Sequence, residues 1–256
     1  MEHPRSTSGV SALERQQLSI NGVASATFWH RVRFSLVAGE VRRAGASTLV
    51  DLGAGAGLLG AWCRRRLRDV EYRWSEVSTV LAAPLRDAFG AGSETSLGEQ
   101  VPPGAVVALL DVLEHIEDDV AALRALRASM RADSVLVITV PALPRLFSSW
   151  DAALGHHRRY SRRVLRDAVT AADLRVVRCD YLFPELLPLA LGRLAVDRWH
   201  RPAGPAAVPV ADFPDLPTWV DRVAFVVSRC TAACRRVWPL GTSLVVVAVA
   251  VDEVVA

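Results

Sequence analysis

The sequence predicts an α/β protein with a Rossmann-like, doubly wound and mostly parallel sheet of seven strands, N-terminal helices, and a helical insertion before the last strand. Short apolar runs alternate with segments of helical period along the 256 residues, which is the pattern of repeated βα units. Residues 48–60, TLVDLGAGAGLLG, join one such run to a helix through closely spaced glycines, as in the tight turn after a parallel strand. Residues 106–111 are nearly all apolar, as expected of a strand buried on both faces.

The first elements lie on either side of the glycines. Apolar residues at helical spacing predict a helix over 28–43 that packs on the sheet. The run 48–52 is the first predicted strand, and a helix over 58–67 follows the turn. The next predicted elements are a strand at 71–76, a helix at 80–89, a weak strand at 94–97, the strand at 106–111 and a helix at 118–131 with an acidic first turn.

The carboxyl half is less regular. Residues 135–140 are the fifth predicted strand, which Pro141 ends. A long polar and aromatic connection follows over 142–160, and connections of this length are usually functional. Ser161 is the predicted cap of a helix that reaches residue 172, and the sixth strand covers 174–183.

The chain length fits one domain. Two helices, 186–200 and 218–238, precede a last strand at 243–251. We expect the domain to consist of an N-terminal helical extension at residues 1–45, a core at 46–183, a helical insertion at 184–239 and the last strand at 240–256.

Composition excludes several classes of protein. The net charge of +3 is too small to indicate a nucleic-acid partner. All basic side chains are arginine, so chemistry that needs a Schiff-base lysine is excluded. The start has no apolar core of a signal peptide, and the run 244–251 is far shorter than the roughly 20 residues of a membrane helix. We therefore expect a cytoplasmic protein, with a peripheral membrane contact left open by the apolar residues 182–196; the oligomeric state stays open.

The glycine turn admits two kinds of ligand. Gly55, Gly57 and Gly60 satisfy the G-x-G-x-x-G pattern of dinucleotide binding. Gly53, Gly55 and Gly57 behind Asp51 instead satisfy an acid-x-Gly-x-Gly-x-Gly pattern. An acid at the strand end suits a cationic ligand such as S-adenosylmethionine and would repel a pyrophosphate, so the second interpretation is favoured over dinucleotide binding or a purely structural turn.

Two further acids end predicted strands. Glu76 lies 19 residues after Gly57, at the end of the next strand, where a carboxylate can accept hydrogen bonds from both ribose hydroxyls. Asp111 ends the strand at 106–111 and begins the segment DVLEHIEDD.

These motifs together resemble class I S-adenosylmethionine-dependent methyltransferases. VDLGAGAG, the strand ending in Glu76, and DVLEHIEDD are similar to the branch that contains the ubiquinone-biosynthesis O-methyltransferases. TVPALPRLFSSWDAALGHHRRYSRRVLRDAV resembles a bacterial subgroup with a VPA…W…D…LGHYRRY signature, and the likeness covers about residues 28–251. His157 stands where that subgroup usually has Tyr. No acid suits the adenine contact, because Glu94 and Glu99 are poor candidates.

The resemblance implies a function and a set of contacts. S-adenosylmethionine is the expected cofactor, and the acceptor is a small molecule: a sugar, a lipid-linked glycan or a product of secondary metabolism, with O-methylation favoured. Asp51 and the glycines would hold the methionine end, Glu76 the ribose, and Asp111 would lie near the methionine part or the methyl group. Residues 46–183 would then be the cofactor-binding core, and the insertion at 184–239 a helical lid with the acceptor pocket.

A histidine-rich cluster is the candidate acceptor site. His156 is the predicted general base and His115 a second catalytic residue, because an imidazole can take the proton of an attacking hydroxyl. His157, Arg158, Arg159 and Tyr160 are expected to bind the acceptor, since an arginine can clamp a carboxylate or phosphate. An exposed basic turn is the alternative for this cluster. A metal site formed by His115, His156 and His157 is a further alternative, but no metal is predicted, because the histidines show no ligand spacing.

Two other functions stay open at this point. One is an NAD(P)-dependent oxidoreductase that uses Gly55, Gly57 and Gly60. The other is a non-catalytic member of the fold that binds the cofactor as a sensor or partner subunit.

Overall fold

The computed structural model describes residues 26–96, 98–199 and 216–250, together with Glu14 and Gln17. Eight α-helices lie in this described part: α1 (Phe28–Ala44), α2 (Leu58–Arg66), α3 (Thr79–Phe89), α4 (Asp119–Ser129), α5 (Ser149–Ala153), α6 (Arg162–Ala171), α7 (Leu187–Trp199) and α8 (Thr218–Ala233). The strands are β1 (Thr48–Leu52), β2 (Glu71–Ser75), β3 (Val106–Leu110), β4 (Val135–Pro141), β5 (Leu174–Leu182) and β6 (Ser243–Ala250).

The strands form one twisted sheet in the order β2-β1-β3-β4-β6-β5. The pairs among β1 to β4 are parallel, whereas β6 runs antiparallel to both β4 and β5. Apolar side chains of α1, α2 and α3 pack on one face of the sheet and those of α4 and α6 on the other. The protein therefore has the doubly wound α/β fold that the alternating pattern predicts.

The sheet differs from the prediction in having six strands, and the weak strand expected at 94–97 is the one not found. Only Glu94 makes a single parallel bridge, to Trp74, and Leu97 lies outside the described residues. The polar side chains here are used locally: Glu94 pairs with Arg86, and Thr95 donates to Glu99 at 2.8 Å. A short segment whose polar side chains bond to neighbouring residues in this way has little apolar surface with which to extend a sheet.

Other predicted boundaries differ by a few residues. The sixth predicted strand ends at Leu182 rather than at Phe183, which has a φ of 56° and precedes a proline. The long helix expected over 218–238 ends at Ala233, and a short 3-10 turn, Arg235–Val237, follows it. Ser161 caps α6 as predicted, accepting a hydrogen bond from the Val164 amide at 3.2 Å.

Helix α8 is attached to α1, the first described helix. The Asp221 carboxylate of α8 accepts a hydrogen bond from the Phe28 amide at 2.7 Å and also pairs with Arg31. No side chain of α1 itself caps its amino end, so Asp221 satisfies a donor that the start of a helix leaves free. Among the described helices, none has the length and hydropathy to cross a bilayer.

Candidate functional site

The glycine turn after β1 has positive backbone φ angles, which glycine adopts readily. Gly53, Gly55 and Gly57 have φ values of 75°, 55° and 71°, in the left-handed region that side chains disfavour. The Gly53 and Ala54 amides donate to the Ser75 carbonyl at 2.8 and 3.0 Å, which ties the turn to the end of β2. Gly57 leads directly into α2. The turn thus lies at the carboxyl edge of the sheet, where doubly wound folds bind ligands.

Glu76 closes one side of the turn. Its carboxylate accepts hydrogen bonds from the Gly55 amide at 2.8 Å and the Ser78 amide at 2.9 Å. Each carboxylate oxygen has a further lone pair, and the residue is half-buried. The backbone of both neighbouring loops therefore positions Glu76, and its carboxylate can still accept hydrogen bonds from hydroxyl groups.

Asp51 lies behind the turn. It is 3% exposed, and the Tyr72 hydroxyl donates to its Oδ2 at 2.7 Å. Burial raises the pKa of Asp51 to about 7; the Tyr72 hydrogen bond opposes this shift and the charge of Glu76 adds to it. Direct contact of this carboxylate with a cationic ligand stays a prediction, and in the structure its partner is Tyr72.

Sequence reasoning missed two residues near the turn. The Gln17 Oε1 atom accepts a hydrogen bond from the Ala56 amide at 3.0 Å, and Glu14 accepts one from the Ser78 hydroxyl at 2.5 Å. Both residues precede the turn by more than 35 positions and belong to no motif. Only the tertiary fold brings them to the cofactor edge.

Asp111 follows β3 at the same edge. Its φ is 57°, and a non-glycine residue in that region is a strained position that is often functional. Its carboxylate pairs with Arg33 of α1 at 3.0 Å and accepts a hydrogen bond from Thr139 at 3.1 Å. Because β1 lies between β2 and β3, the structure brings the glycine turn, Glu76 and Asp111 to three neighbouring strand ends.

The two predicted catalytic histidines meet beyond Asp111. The His115 and His156 rings are 4.7 Å apart, edge to face. His156 Nδ1 is 3.0 Å from Asp151, whose carboxylate also accepts from Arg159 at 2.8 Å and from the Ser148 amide at 2.9 Å. Burial lowers the pKa of His115 to about 4, and a charge on His156 lowers it further.

Glu114 is the residue beside these histidines that the sequence did not single out for chemistry. It is fully buried, and neither carboxylate oxygen has a hydrogen-bond partner among the described residues. Its pKa is raised well above the ordinary value by burial and by the charge of Asp111. One atom each of Glu114, His115 and His156 could ligate a metal, and these atoms lie within 4.8 Å of one another; we call these three residues the carboxylate–histidine cluster.

The remaining predicted acceptor residues lie in different environments. Tyr160 is fully buried, and its hydroxyl donates to Asp119 at 2.7 Å. This corrects the prediction that Tyr160 contacts the acceptor, because the residue belongs to the core. Arg159 is bound to Asp151, whereas Arg158 pairs with Asp119 at 3.3 Å. His157 is exposed.

One family model matches the part of the chain that contains the glycine turn. A family model described as a methyltransferase domain matches residues 28–178, from the start of α1 into β5. No curated protein matches the chain in sequence.

Several solved structures share the fold at low identity. A chain of the complex between the Haloferax volcanii Trm112 methyltransferase activator and a methyltransferase has a TM-score of 0.55 at 14% identity, over 96% of this chain and 100% of that one. Phosphoethanolamine N-methyltransferase 2 of Haemonchus contortus, solved with S-adenosyl-L-methionine, has 0.52 at 12%, over 85% and 53%. The 4+2 cyclase SpnF has 0.51 at 15%, over 85% and 80%.

These structures share the architecture, and the cyclase among them illustrates that the fold alone does not decide the reaction. The family model is the stronger result, since it spans more than half of the chain and includes the glycine turn, Glu76 and Asp111. The protein therefore belongs to the methyltransferase domain family and has its mixed α/β, Rossmann-like fold.

Proposed function

We propose that the protein transfers a methyl group from S-adenosylmethionine to a small-molecule acceptor, with transfer to oxygen favoured. The observation that carries the proposal is the glycine turn, which lies beside Glu76 and Asp111 at three neighbouring strand ends in a chain of the methyltransferase domain family. S-adenosylmethionine is supported as the cofactor by family membership and by the ligand of the Haemonchus contortus structure.

The proposed contacts follow the strand order. The glycine turn, with Asp51 behind it, receives the methionine end, and Glu76 accepts the ribose hydroxyls. Asp111 lies on the far side of β1 and so faces the methionine part or the methyl group. The sulfonium already activates the methyl group, so positioning and exclusion of water account for most of the acceleration that the protein must supply.

The acceptor is proposed to bind beside His115 and His156, which follow β3 and β4 beyond the cofactor contacts. A hydroxyl acceptor must lose its proton, and the carboxylate–histidine cluster contains two imidazoles that can assist this loss. His157 is exposed, and Arg158 is half-buried beside Asp119. Both are proposed to contact the acceptor.

The helical segment after β5 is proposed to contribute an apolar part of the acceptor site. An open cleft of about 250 Å³ lies between the start of α1 and α8 and is lined by Phe28, Glu185, Leu186, Trp219, Val220, Val223, Ala224, Val227 and Ser228. The apolar lining favours a bulky or lipid-linked acceptor, such as a lipid-linked glycan or a secondary metabolite, over a free sugar.

Calorimetry with S-adenosylmethionine, its demethylated product and NAD(H) tests the proposal. The first two are expected to bind at micromolar affinity and NAD(H) not to bind. Gly55→Val is expected to abolish binding, because Gly55 has a φ of 55° and an added Cβ would approach Gln17 to 2.9 Å. Gly39→Val is the matched control, since Gly39 has an open Cβ position on α1.

Two outcomes would contradict the proposal. Preferential binding of NAD(H) would favour the oxidoreductase alternative. Binding of S-adenosylmethionine without methyl transfer to any acceptor class, with transfer followed as a mass increase of one methyl group, would favour the non-catalytic alternative.

A further inference from the structure

Glu114 is a buried carboxyl group that the proposed methyl transfer does not account for. Its carboxylate is fully buried, and neither oxygen has a hydrogen-bond partner among the described residues. Buried carboxylates are normally paired, hydrogen-bonded or bound to a metal, because burial of an isolated charge is costly. The side chain next to it, His156, has its Nε2 atom 4.0 Å from Glu114 Oε1. That distance is too long for a hydrogen bond.

The His156 imidazole is held by a hydrogen bond at its Nδ1 atom. Asp151 bonds the Nδ1 atom of His156 at 3.0 Å, so the lone pair of a neutral ring lies on Nε2, towards Glu114. Protein metal sites usually contain such partners, which fix the tautomer and direction of a ligating histidine.

We propose that Glu114, His115 and His156 bind a divalent cation of the zinc or cobalt type. Their ligand atoms lie within 4.8 Å of one another. Metal–ligand bonds of about 2.0–2.2 Å place neighbouring ligand atoms roughly 3.4 Å apart in a tetrahedral site. The longest separation in the cluster must therefore shorten by up to about 1.4 Å on binding. Two imidazoles with one carboxylate favour Zn²⁺ or Co²⁺ over Mg²⁺, which prefers oxygen ligands.

The sequence did not predict this site, because its ligands come from two separate connections. Glu114 and His115 follow β3, and His156 lies 41 residues after His115, in the connection after β4. The prediction of no metal rested on spacing along the chain, whereas the structure juxtaposes the two connections: the His157 amide donates to the Glu114 carbonyl at 2.8 Å.

This inference rests on the proposed function and specifies how the acceptor is activated. Three protein ligands leave a coordination position free, and a hydroxyl bound there loses its proton to solvent more readily. The acceptor oxygen then forms a bond to the methyl carbon while the sulfur–carbon bond breaks, and the electron pair stays on sulfur as a neutral thioether. With the cation bound, His156 is a ligand; without it, His156 remains the general base predicted from the sequence.

The test uses the full chain after removal of metals with a chelator. Titration with Co²⁺ is followed by visible absorption, and titration with Zn²⁺ by calorimetry. One equivalent of each is expected to bind, and Glu114→Gln is expected to weaken binding at least tenfold. His157→Ala is the matched control, because this exposed neighbour of His156 is not a ligand. If Glu114→Gln does not fold, His115→Asn, at a half-buried position, serves instead.

Absence of stoichiometric Co²⁺ or Zn²⁺ binding to the wild-type chain would overturn the inference, as would unchanged affinity in a folded Glu114→Gln variant. S-adenosylmethionine affinity of the same metal-free protein is measured in parallel. Retained cofactor binding without metal binding contradicts only the cation site, whereas loss of cofactor binding by the wild-type chain contradicts the proposed function.

Discussion

Two acids near the ends of neighbouring strands have different partners. Asp51 bonds a tyrosine hydroxyl inside the sheet, whereas the Glu76 carboxylate accepts from two backbone amides. Burial makes the charged form of Asp51 costly, and the tyrosine hydrogen bond offsets only part of that cost. The second arrangement orients the Glu76 carboxylate by two backbone amides while part of the side chain stays accessible.

The first residue-scale prediction concerns Asp51 and pH. Because its pKa is about 7 in the folded chain, against the ordinary aspartate value of 3.8, the folded protein binds the proton more tightly than the unfolded chain does. Stability from this group is present at low pH and is lost as pH rises from about 4 to 7. In urea unfolding, the free energy of unfolding of Asp51→Asn should therefore rise by about 2–3 kcal/mol relative to that of wild type between pH 5 and pH 8. A stability difference that stays constant over that interval would refute the assignment.

The second residue-scale prediction concerns the ribose contact. Glu76→Ala should weaken S-adenosylmethionine binding by about 1.5–3 kcal/mol, the range for hydrogen bonds to a charged group, as measured by calorimetry. Glu71→Ala is the control, since Glu71 is an exposed acid at the other end of β2 whose partner is Arg73. Equal affinity of both variants would place the ribose contact elsewhere.

Helices α1 and α8 connect the segment after β5 to the cofactor edge. Asp221 of α8 holds the amino end of α1. One turn further along α1, Arg33 pairs with Asp111 and donates to the Ser243 hydroxyl of β6 at 3.1 Å. The proposed lid segment is thus joined to Asp111 by side chains of a single helix.

The prediction for these elements is a loss of stability. Asp221→Ala should lower the free energy of unfolding by about 1–2 kcal/mol, because it removes both the cap of α1 and the partner of Arg31. The midpoint of urea unfolding measures this effect. Arg222→Ala changes the next, exposed residue of α8 and should leave the midpoint nearly unchanged. A similar loss in both variants would show that the cap contributes little.

Across the whole molecule, the sequence predicts features that depend on neighbouring residues better than contacts between residues far apart in the chain. The β1 strand, the glycine turn and the Ser161 cap were predictable because each depends on residues within one turn or strand. The prediction of a strand at 94–97 was wrong, because the Thr95 and Ser96 hydroxyls donate to the nearby Glu99 carboxylate and the segment does not extend the sheet. The contact of Gln17 with the turn and the cluster of Glu114 with His156 were not predictable, since both join segments about 40 residues apart.

The position of β6 has a consequence for how the protein is made. This last described strand lies between β4 and β5 and is antiparallel to both. During synthesis, β5 leaves the ribosome before the strand that joins it to the sheet exists. The four parallel strands can assemble early, but β5 must wait until residue 250 has cleared the exit tunnel. Until then its unpaired edge is exposed to other nascent chains, and a ribosome stalled within β6 would release a product prone to aggregate.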